Sequence, residues 1–246
     1  MHVVGILSIL VQVVLVVHAI RTGQERYWIF ILLFFPLVGS LVYAVIVLLP
    51  DLRTNHHAHK AGNAFKNVID PDRNIRDHAR NLERSDTVEN KIRLAEELTH
   101  KGMLDEALNL YHEALTGVFK HEPHLMLAVA KILFKQGKYQ ETRTTLDSLI
   151  AENPDYKSQE GHLLYAMTLE KIGDNEAASH EYEVLCEYYS GFEAKCRYGL
   201  MLKAQGKTVR ANELFSDILN EAKLGGRHVA KMNGEWISIA KKEISR

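Results

Sequence analysis

The chain has 246 residues, of which 46% are hydrophobic and 25% are charged, and its formal net charge is −1 at pH 7. A chain so close to neutral lacks the basic field that binds phosphates, so we expect no nucleic-acid partner. Its two cysteines, Cys186 and Cys196, do not have Cys-x-x-Cys spacing, so we expect both to be buried as small apolar side chains. A disulfide between them in an oxidising compartment stays an open alternative.

Two long apolar runs open the sequence, from Val3 to Ile20 and from Trp28 to Leu49, with one short polar segment between them. At about 1.5 Å per helical residue they reach roughly 27 and 33 Å, which matches a hydrocarbon core of about 30 Å. We therefore predict a two-helix transmembrane hairpin over residues 1–50, in contact with the lipid bilayer through residues 3–49. The alternative for the first run is a cleaved signal peptide, but no lysine or arginine precedes it and no small-x-small site ends it.

Four residues of the second apolar run stand out, namely Trp28, Pro36, Gly39 and Tyr43. In this arrangement the run resembles the N-terminal membrane hairpin of bacterial cardiolipin synthases, which belong to the phospholipase D superfamily. The resemblance covers about residues 5–50 and implies an anchor only. The catalytic histidine of that superfamily is followed two residues later by lysine, and because this sequence has no His-x-Lys, the chemistry does not carry over.

The charges beside the apolar runs indicate an orientation. Arg53, Lys60 and Lys66 follow the second run, whereas the segment between the runs carries Arg21 and Arg26. Because positive charge is more frequent on the cytoplasmic side, we predict a protein of the bacterial inner membrane with two spans, whose remaining residues lie in the cytoplasm.

Residues 51–70 form a polar linker in this interpretation. The linker contains the densest histidine cluster of the sequence, His56, His57 and His59. No carboxylate or cysteine completes a recognised zinc spacing around these imidazoles, so we expect no metal and no cofactor. A metal at this cluster stays an open alternative.

A charged helix is predicted ahead of the repeats that follow. Asp70 followed by Pro71 is typical of a helix start, because proline suits the first helical position, and the helical pattern continues to Arg84. Asp86 and Glu89 then have the spacing of a capping box, which predicts that Asp86 caps the next helix.

Four glycines recur at intervals of 33 to 36 residues, and the residues around them form columns. Relative to each glycine, the columns lie seven and four positions before it and five and nine positions after it. They are Ala95, Ala130, Ala166 and Gly199; Leu98, Leu133, Leu169 and Leu202; Ala107, Thr142, Ala178 and Ala211; and Tyr111, Leu146, Tyr182 and Phe215. Such columns are typical of stacked helix pairs, in which small residues allow the close approach of two helices. Gly102, Gly137, Gly173 and Gly206 would each end the first helix of a pair in the left-handed conformation.

This pattern resembles the tetratricopeptide repeat (TPR) family over residues 86–222. The first repeat fits best, and it includes the second alanine of the family pattern as Ala114. Departures from the family pattern occur at Thr142, Leu149, Leu185 and Ile218. The resemblance implies an all-α solenoid of about four helix pairs whose concave groove binds a protein or peptide. The alternative is an irregular helical bundle, which is also all-α.

Gly225 and Gly226 interrupt the helical pattern after the fourth pair. Beyond them, one apolar face of a last helix would be formed by Val229, Met232, Trp236 and Ile239. Because the end of a repeat array needs a cover with a polar outer side, we predict that this helix caps the solenoid. The predicted domains are therefore the transmembrane hairpin at 1–50, the linker at 51–70 and the solenoid with its cap helices at 71–246.

The candidate binding residues are those that point away from the partner helix on the first helix of each pair, because these faces line the groove. Counted six and three positions before each glycine, they are Glu96 and Thr99, Lys131 and Phe134, Met167 and Glu170, and Leu200 and Lys203. Their mixture of apolar and charged groups suits a peptide with apolar anchors. No phosphate-binding loop, zinc-protease helix or serine nucleophile elbow occurs in the sequence, so we predict a protein that is not an enzyme.

The predicted function is that of a membrane-anchored scaffold or adaptor, which binds a partner protein in its groove at the bacterial inner membrane. The alternative follows from the resemblance to cardiolipin synthases. It is a non-catalytic accessory or regulatory subunit of phospholipid metabolism.

Overall fold

The computed structural model describes residues 2–21, 27–43, 46–47, 70 and 72–244. Over these residues the chain forms fourteen α-helices and one short 3-10 helix, which confirms the predicted all-α class. The chain divides into two compact units, Met1–Asn74 and Ile75–Arg246. The histidine cluster at 56–59 and the rest of the predicted linker before Asp70 lie outside the described residues, so the three-domain division stays a prediction.

Among its described residues up to Val47, the first unit contains the helices α1 (His2–Arg21), α2 (Tyr27–Phe34) and α3 (Pro36–Tyr43). Its apolar centre includes Trp28 and Tyr43, whose rings meet edge to face with centroids 5.3 Å apart. Two polar side chains of α1, those of Gln12 and His18, make contacts inside the unit. The Gln12 amide donates a hydrogen bond to the carbonyl oxygen of Leu32, and His18 Nδ1 lies 3.1 Å from the Tyr43 hydroxyl.

The second apolar run is not one helix, because it is interrupted at Phe35 and Pro36. Phe35 is not helical, and proline has no N–H with which to continue the helical ladder. Helices α2 and α3 have eight residues each, and a helix of that length spans about 12 Å against a hydrocarbon core of about 30 Å.

Within the residues that the structure describes, no helix is both long enough and apolar enough to cross a bilayer. The predicted inner-membrane location, with two spans and cytoplasmic repeats, is therefore wrong. The predicted transmembrane hairpin, the bilayer contact through residues 3–49 and the likeness to cardiolipin synthases have no support. For the second run, the prediction counted apolar residues along the sequence, whereas a span needs them in one uninterrupted helix.

The helix predicted ahead of the repeats is α4 (Arg73–Arg84), and its apolar side chains pack on the core of the first helix pair. The next helix begins at Val88 with Thr87 as its N-cap, since Thr87 Oγ1 accepts a hydrogen bond from the Asn90 N–H at 3.3 Å. The prediction that Asp86 caps this helix is wrong by one residue. Thr87 takes the extended cap conformation, and Asp86 instead lies 3.0 Å from Lys91 Nζ.

Four antiparallel helix pairs follow. They are α5 (Val88–His100) with α6 (Leu104–Ala114), α7 (Pro123–Lys135) with α8 (Tyr139–Glu152), α9 (Gln159–Ile172) with α10 (Asn175–Tyr188), and α11 (Glu193–Ala204) with α12 (Thr208–Leu224). A 3-10 turn at Gly117–Phe119 lies between the first two pairs. The four glycines between the helices of each pair have φ between +76° and +85°, which confirms the predicted left-handed turn.

The predicted columns form the core of the pairs, and every one of their members is buried. Thr142 lies where the other pairs have alanine. Its buried hydroxyl is satisfied, because Oγ1 donates a hydrogen bond to the Lys138 carbonyl at 2.9 Å. The columns therefore explain why the helices of a pair can lie so close together.

The chain ends in two helices, α13 (Gly226–Met232) and α14 (Gly234–Ile244), so the prediction of one last helix is wrong. The break lies at Asn233, whose Oδ1 accepts a hydrogen bond from the Phe192 N–H at 3.0 Å. Trp236 packs on the core of the third and fourth pairs, whereas Met232 is 72% exposed. The apolar face is thus split by the turn at Asn233.

Candidate functional site

A cavity of about 570 Å³, here called the groove cavity, extends along the first helices of the first three pairs. It is lined by Glu96, Thr99 and His100 of α5, by Tyr111 of α6, by His124, Leu127, Ala128, Lys131, Ile132 and Lys135 of α7, and by residues 156–158 and Glu160 at the start of α9. Repeat stacking brings these faces together, because each first helix lies beside the first helix of the next pair.

Three of the eight predicted binding residues line this cavity, namely Glu96, Thr99 and Lys131. The Thr99 hydroxyl donates to the Ala95 carbonyl at 2.7 Å. Lys131 Nζ lies 2.7 Å from a Glu160 carboxylate oxygen, so this ion pair joins the second helix pair to the third. Of the three side chains, Glu96 is the most exposed to a ligand.

The structure places the other five predicted residues elsewhere. The Phe134 ring meets the Tyr139 ring edge to face at 5.2 Å. Glu170 accepts a hydrogen bond from the Tyr182 hydroxyl at 2.9 Å, and Lys203 Nζ lies 3.0 Å from a Glu243 carboxylate oxygen. The remaining two residues are Met167 and Leu200. Their side chains are half-buried and pack against the core of the third and fourth pairs. Whether any of the eight contacts a partner stays a prediction.

Several lining residues were missed by the count from the glycines. His100 and Lys135 lie two positions before a glycine, one helical step from the predicted Thr99 and Phe134. His124, the first polar residue of α7, was also missed. A signal was present, because the lining positions of α7 recur at spacings of three and four, as one face of a helix does.

The groove cavity has a small excess of positive charge. Three lysines line it against two glutamates, and one lysine is neutralised in the Lys131–Glu160 pair. Neither Lys135 nor Lys157 has an ion-pair partner among the described residues. Burial raises the pKa of Tyr111 to about 12, and the charge of Glu96 adds to the shift, so the Tyr111 hydroxyl keeps its proton at neutral pH.

A second cavity of about 890 Å³ adjoins the first at the linker between the second and third pairs, and we call it the linker cavity. Tyr156, Lys157 and Ser158 line both cavities. The remaining walls come from the end of α8, the start of α9 and from α10. The sequence analysis did not detect this cavity, because its walls come from helices of two different pairs.

The two cysteines have no feature of a reactive thiol. Cys196 is buried, as predicted, whereas Cys186 is half-buried, and both are free. Burial raises the pKa of each thiol to about 11, so both are protonated at neutral pH. Within the described ranges, no three histidine, cysteine or acidic side chains are placed to hold a metal ion.

A comparison with known proteins agrees with the periodicity, the left-handed turns and the buried columns. Residues 98–167 match the family model of the tetratricopeptide repeat. No curated protein matches the sequence. The TPR resemblance is thereby confirmed for the repeats.

Solved structures show the same fold at low sequence identity. The chain is similar to MamA, with 18% identity, a TM-score of 0.56, and coverage of 70% of this chain and 97% of that chain. It is similar to residues 41 to the end of MamA from Desulfovibrio magneticus RS-1, with 12% identity, a TM-score of 0.56, and coverage of 62% and 86%. A TPR protein from Parabacteroides merdae has 15% identity, a TM-score of 0.55 and coverage of 75% of both chains.

The matched residues 98–167 have the TPR fold, which in general offers a surface for protein–protein interaction. Repeats of this kind are generally not catalytic, because their stacked helices supply an extended surface and no reactive centre of their own.

Proposed function

We propose that the TPR solenoid binds an extended segment of a partner protein in the groove cavity. The observation that carries this proposal is the continuity of the cavity across α5, α7 and the start of α9. A ligand in it would contact three successive helix pairs at once, which is how stacked repeats gain affinity from many small contacts.

The lining residues favour a segment with acidic side chains beside apolar ones. The ammonium groups of Lys135 and Lys157 have no ion-pair partner among the described residues. They would donate hydrogen bonds to carboxylates of the ligand. Ala128 and the exposed edge of Leu127 supply apolar surface in the same cavity. Because Lys131 is already held by Glu160, it contributes less to ligand charge than the other two lysines.

Calorimetry with the full chain tests this function. Two extended peptides of equal length and apolar content, one with aspartates and the other with lysines, are titrated against the wild type and against Lys135→Glu/Lys157→Glu. We expect the acidic peptide to bind the wild type. Its affinity for the double variant should be at least tenfold lower. Lys223→Glu is the control, since Lys223 is an exposed residue of α12 outside the cavity. Equal affinity of all three proteins for the acidic peptide would contradict the proposal.

The second candidate function was an accessory subunit of phospholipid metabolism. It rested on the resemblance of the N-terminal residues to cardiolipin synthases, which has no support. No contact among the described residues favours it over the groove, so we propose groove binding alone.

A further inference from the structure

The linker cavity combines aromatic rings with carboxylates. Tyr156 of the linker, Tyr165 of α9 and Tyr188 of α10 supply three phenol rings, and Asp147 of α8 and Glu181 of α10 supply two negative charges. A positively charged group is attracted to the face of an aromatic ring as well as to a carboxylate. The walls therefore favour an organic cation over an anion.

Both carboxylates are held in place by neighbours that line the same cavity. The Tyr165 hydroxyl donates to Asp147 at 2.9 Å, and His162 Nε2 lies 2.6 Å from a Glu181 oxygen. The other ring nitrogen of His162 lies 2.6 Å from the Tyr188 hydroxyl, which links the aromatic and the acidic walls. A carboxylate has about four acceptor sites, so each still has capacity for a cationic donor.

The positive groups near the cavity do not cancel these carboxylates. Lys157 lies at the shared rim and is exposed. Arg143 Nε is 3.7 Å from Asp147, a longer separation than the hydrogen bond that Tyr165 makes. Glu181 has His162 as its neighbour, at 2.6 Å. This contact uses one oxygen of the Glu181 carboxylate, and the remaining acceptor sites can still receive hydrogen bonds from a ligand.

Apolar groups complete the cavity. Leu146 and Leu149 form a buried wall, while the neighbouring Ile150 is 56% exposed. A long side chain with an apolar stem and a cationic end would place its stem on the exposed Ile150 and direct its end to the carboxylates. Arginine fits this description best, because its planar guanidinium stacks on aromatic rings and donates two parallel hydrogen bonds to a carboxylate.

We propose that the linker cavity is a second binding site, which takes an arginine side chain of a partner polypeptide together with an adjacent apolar residue. The site does not depend on the groove proposal, because its carboxylates do not line the groove cavity. It binds a basic segment, whereas the groove cavity binds an acidic one.

The test uses a short acetylated and amidated peptide with one arginine between two leucines, titrated against the full chain by calorimetry. The matched probe replaces arginine with citrulline, which keeps the shape and removes the charge. We expect the arginine peptide to bind and the citrulline peptide to bind at least tenfold more weakly. The double variant Asp147→Asn/Glu181→Gln should bind the arginine peptide at least tenfold more weakly than the wild type does. An unchanged melting temperature would show that the fold of this variant is intact.

Two controls separate this site from other acidic surfaces. Glu213→Gln removes an exposed carboxylate on α12, which pairs with Arg210 outside the cavity, and it should leave binding unchanged. Lys135→Glu changes a residue that lines only the groove cavity, and it should not weaken binding of the arginine peptide. Equal binding of the arginine and citrulline peptides, or unchanged binding to Asp147→Asn/Glu181→Gln, would overturn the proposal. Equal affinity for free arginine amide would overturn the assignment to a polypeptide.

Discussion

The ring of Phe215 lies so close to Gly199 that a Cβ on Gly199 would come within 2.7 Å of its Cε1 atom. The other three pairs have alanine at the position of Gly199, and opposite it they have tyrosine or leucine at the position of Phe215. Phe215 is fully buried. In the fourth pair the missing Cβ of Gly199 thus leaves the space that the Phe215 ring occupies.

We predict that Gly199→Ala destabilises the solenoid, although alanine is the better helix former by about 1 kcal/mol. Overpacking of a buried ring costs about 1–3 kcal/mol, which offsets that gain, so the free energy of unfolding should fall by up to about 2 kcal/mol. Urea unfolding followed by circular dichroism measures the change.

The control for this prediction is Gly234→Ala at the start of α14. A Cβ on Gly234 would meet no heavy atom within 4 Å, so this variant should unfold at the wild-type urea concentration. If Gly199→Ala were as stable as Gly234→Ala, the close packing against Phe215 would be disproved.

A second prediction concerns the cap formed by α14. Trp236 packs on the core of the third and fourth pairs, and its ring lies 5.2 Å from the Arg197 guanidinium carbon. Trp236→Ala should lower the free energy of unfolding by about 2 kcal/mol, less than a fully buried aromatic residue would. Met232→Ala should change it by less than about 0.5 kcal/mol, because Met232 is 72% exposed. If both variants lowered the free energy of unfolding equally, Met232 and Trp236 would belong to one apolar face, as the sequence predicted.

The third prediction is a loss of stability at high pH. Burial raises the pKa of Tyr182 well above its ordinary value, and the charge of Glu170, which accepts its hydrogen bond, adds to the shift. The unfolded chain releases this proton at about pH 10, whereas the folded protein still holds it. The stabilisation is therefore complete below about pH 10 and is lost as the pH rises toward the folded-state pKa.

Tyr182→Phe removes this titration. Between about pH 10 and 11 we expect the wild type to lose up to about 1.4 kcal/mol more than the variant, as one proton per pH unit requires. Urea unfolding at about pH 8, 10 and 11 gives the two slopes. The variant also loses the hydrogen bond to Glu170, but that loss is present at pH 8 and does not affect the slope. Identical slopes would show that Tyr182 ionises in the folded state as easily as in the unfolded chain.

The repeat core could be predicted from the sequence because its causes are local and periodic. Each turn glycine must take a positive φ, and each column member lies at a fixed helical distance from it, so counting residues identifies the buried face. Gly102 and Ala95 illustrate this rule, since the first has φ +77° and the second is fully buried.

The binding residues were harder to predict, because neighbouring residues of a helix point about 100° apart. A small error in the assumed helix orientation therefore moves a residue from the groove to the contact between helices. Lys131, six positions before its glycine, lines the groove cavity, whereas Phe134, three positions before it, meets Tyr139 of the partner helix. The count from the glycines did identify Lys203, but it could not show that Lys203 pairs with Glu243 of the terminal helix. Hydropathy likewise could not show that the run containing Pro36 is divided into two short helices.

The most direct test of the central claim is site-specific photocrosslinking in the full chain, with the acidic peptide used for calorimetry as the ligand. A photoreactive residue at Ala128 lies on the groove cavity, and one at Asn109 lies on the exposed side of α6, a second helix outside it. We predict a crosslinked product from position 128 that Lys135→Glu/Lys157→Glu abolishes, and none from position 109. A crosslink of equal yield from both positions, or one that survives the double variant, would contradict binding in the groove.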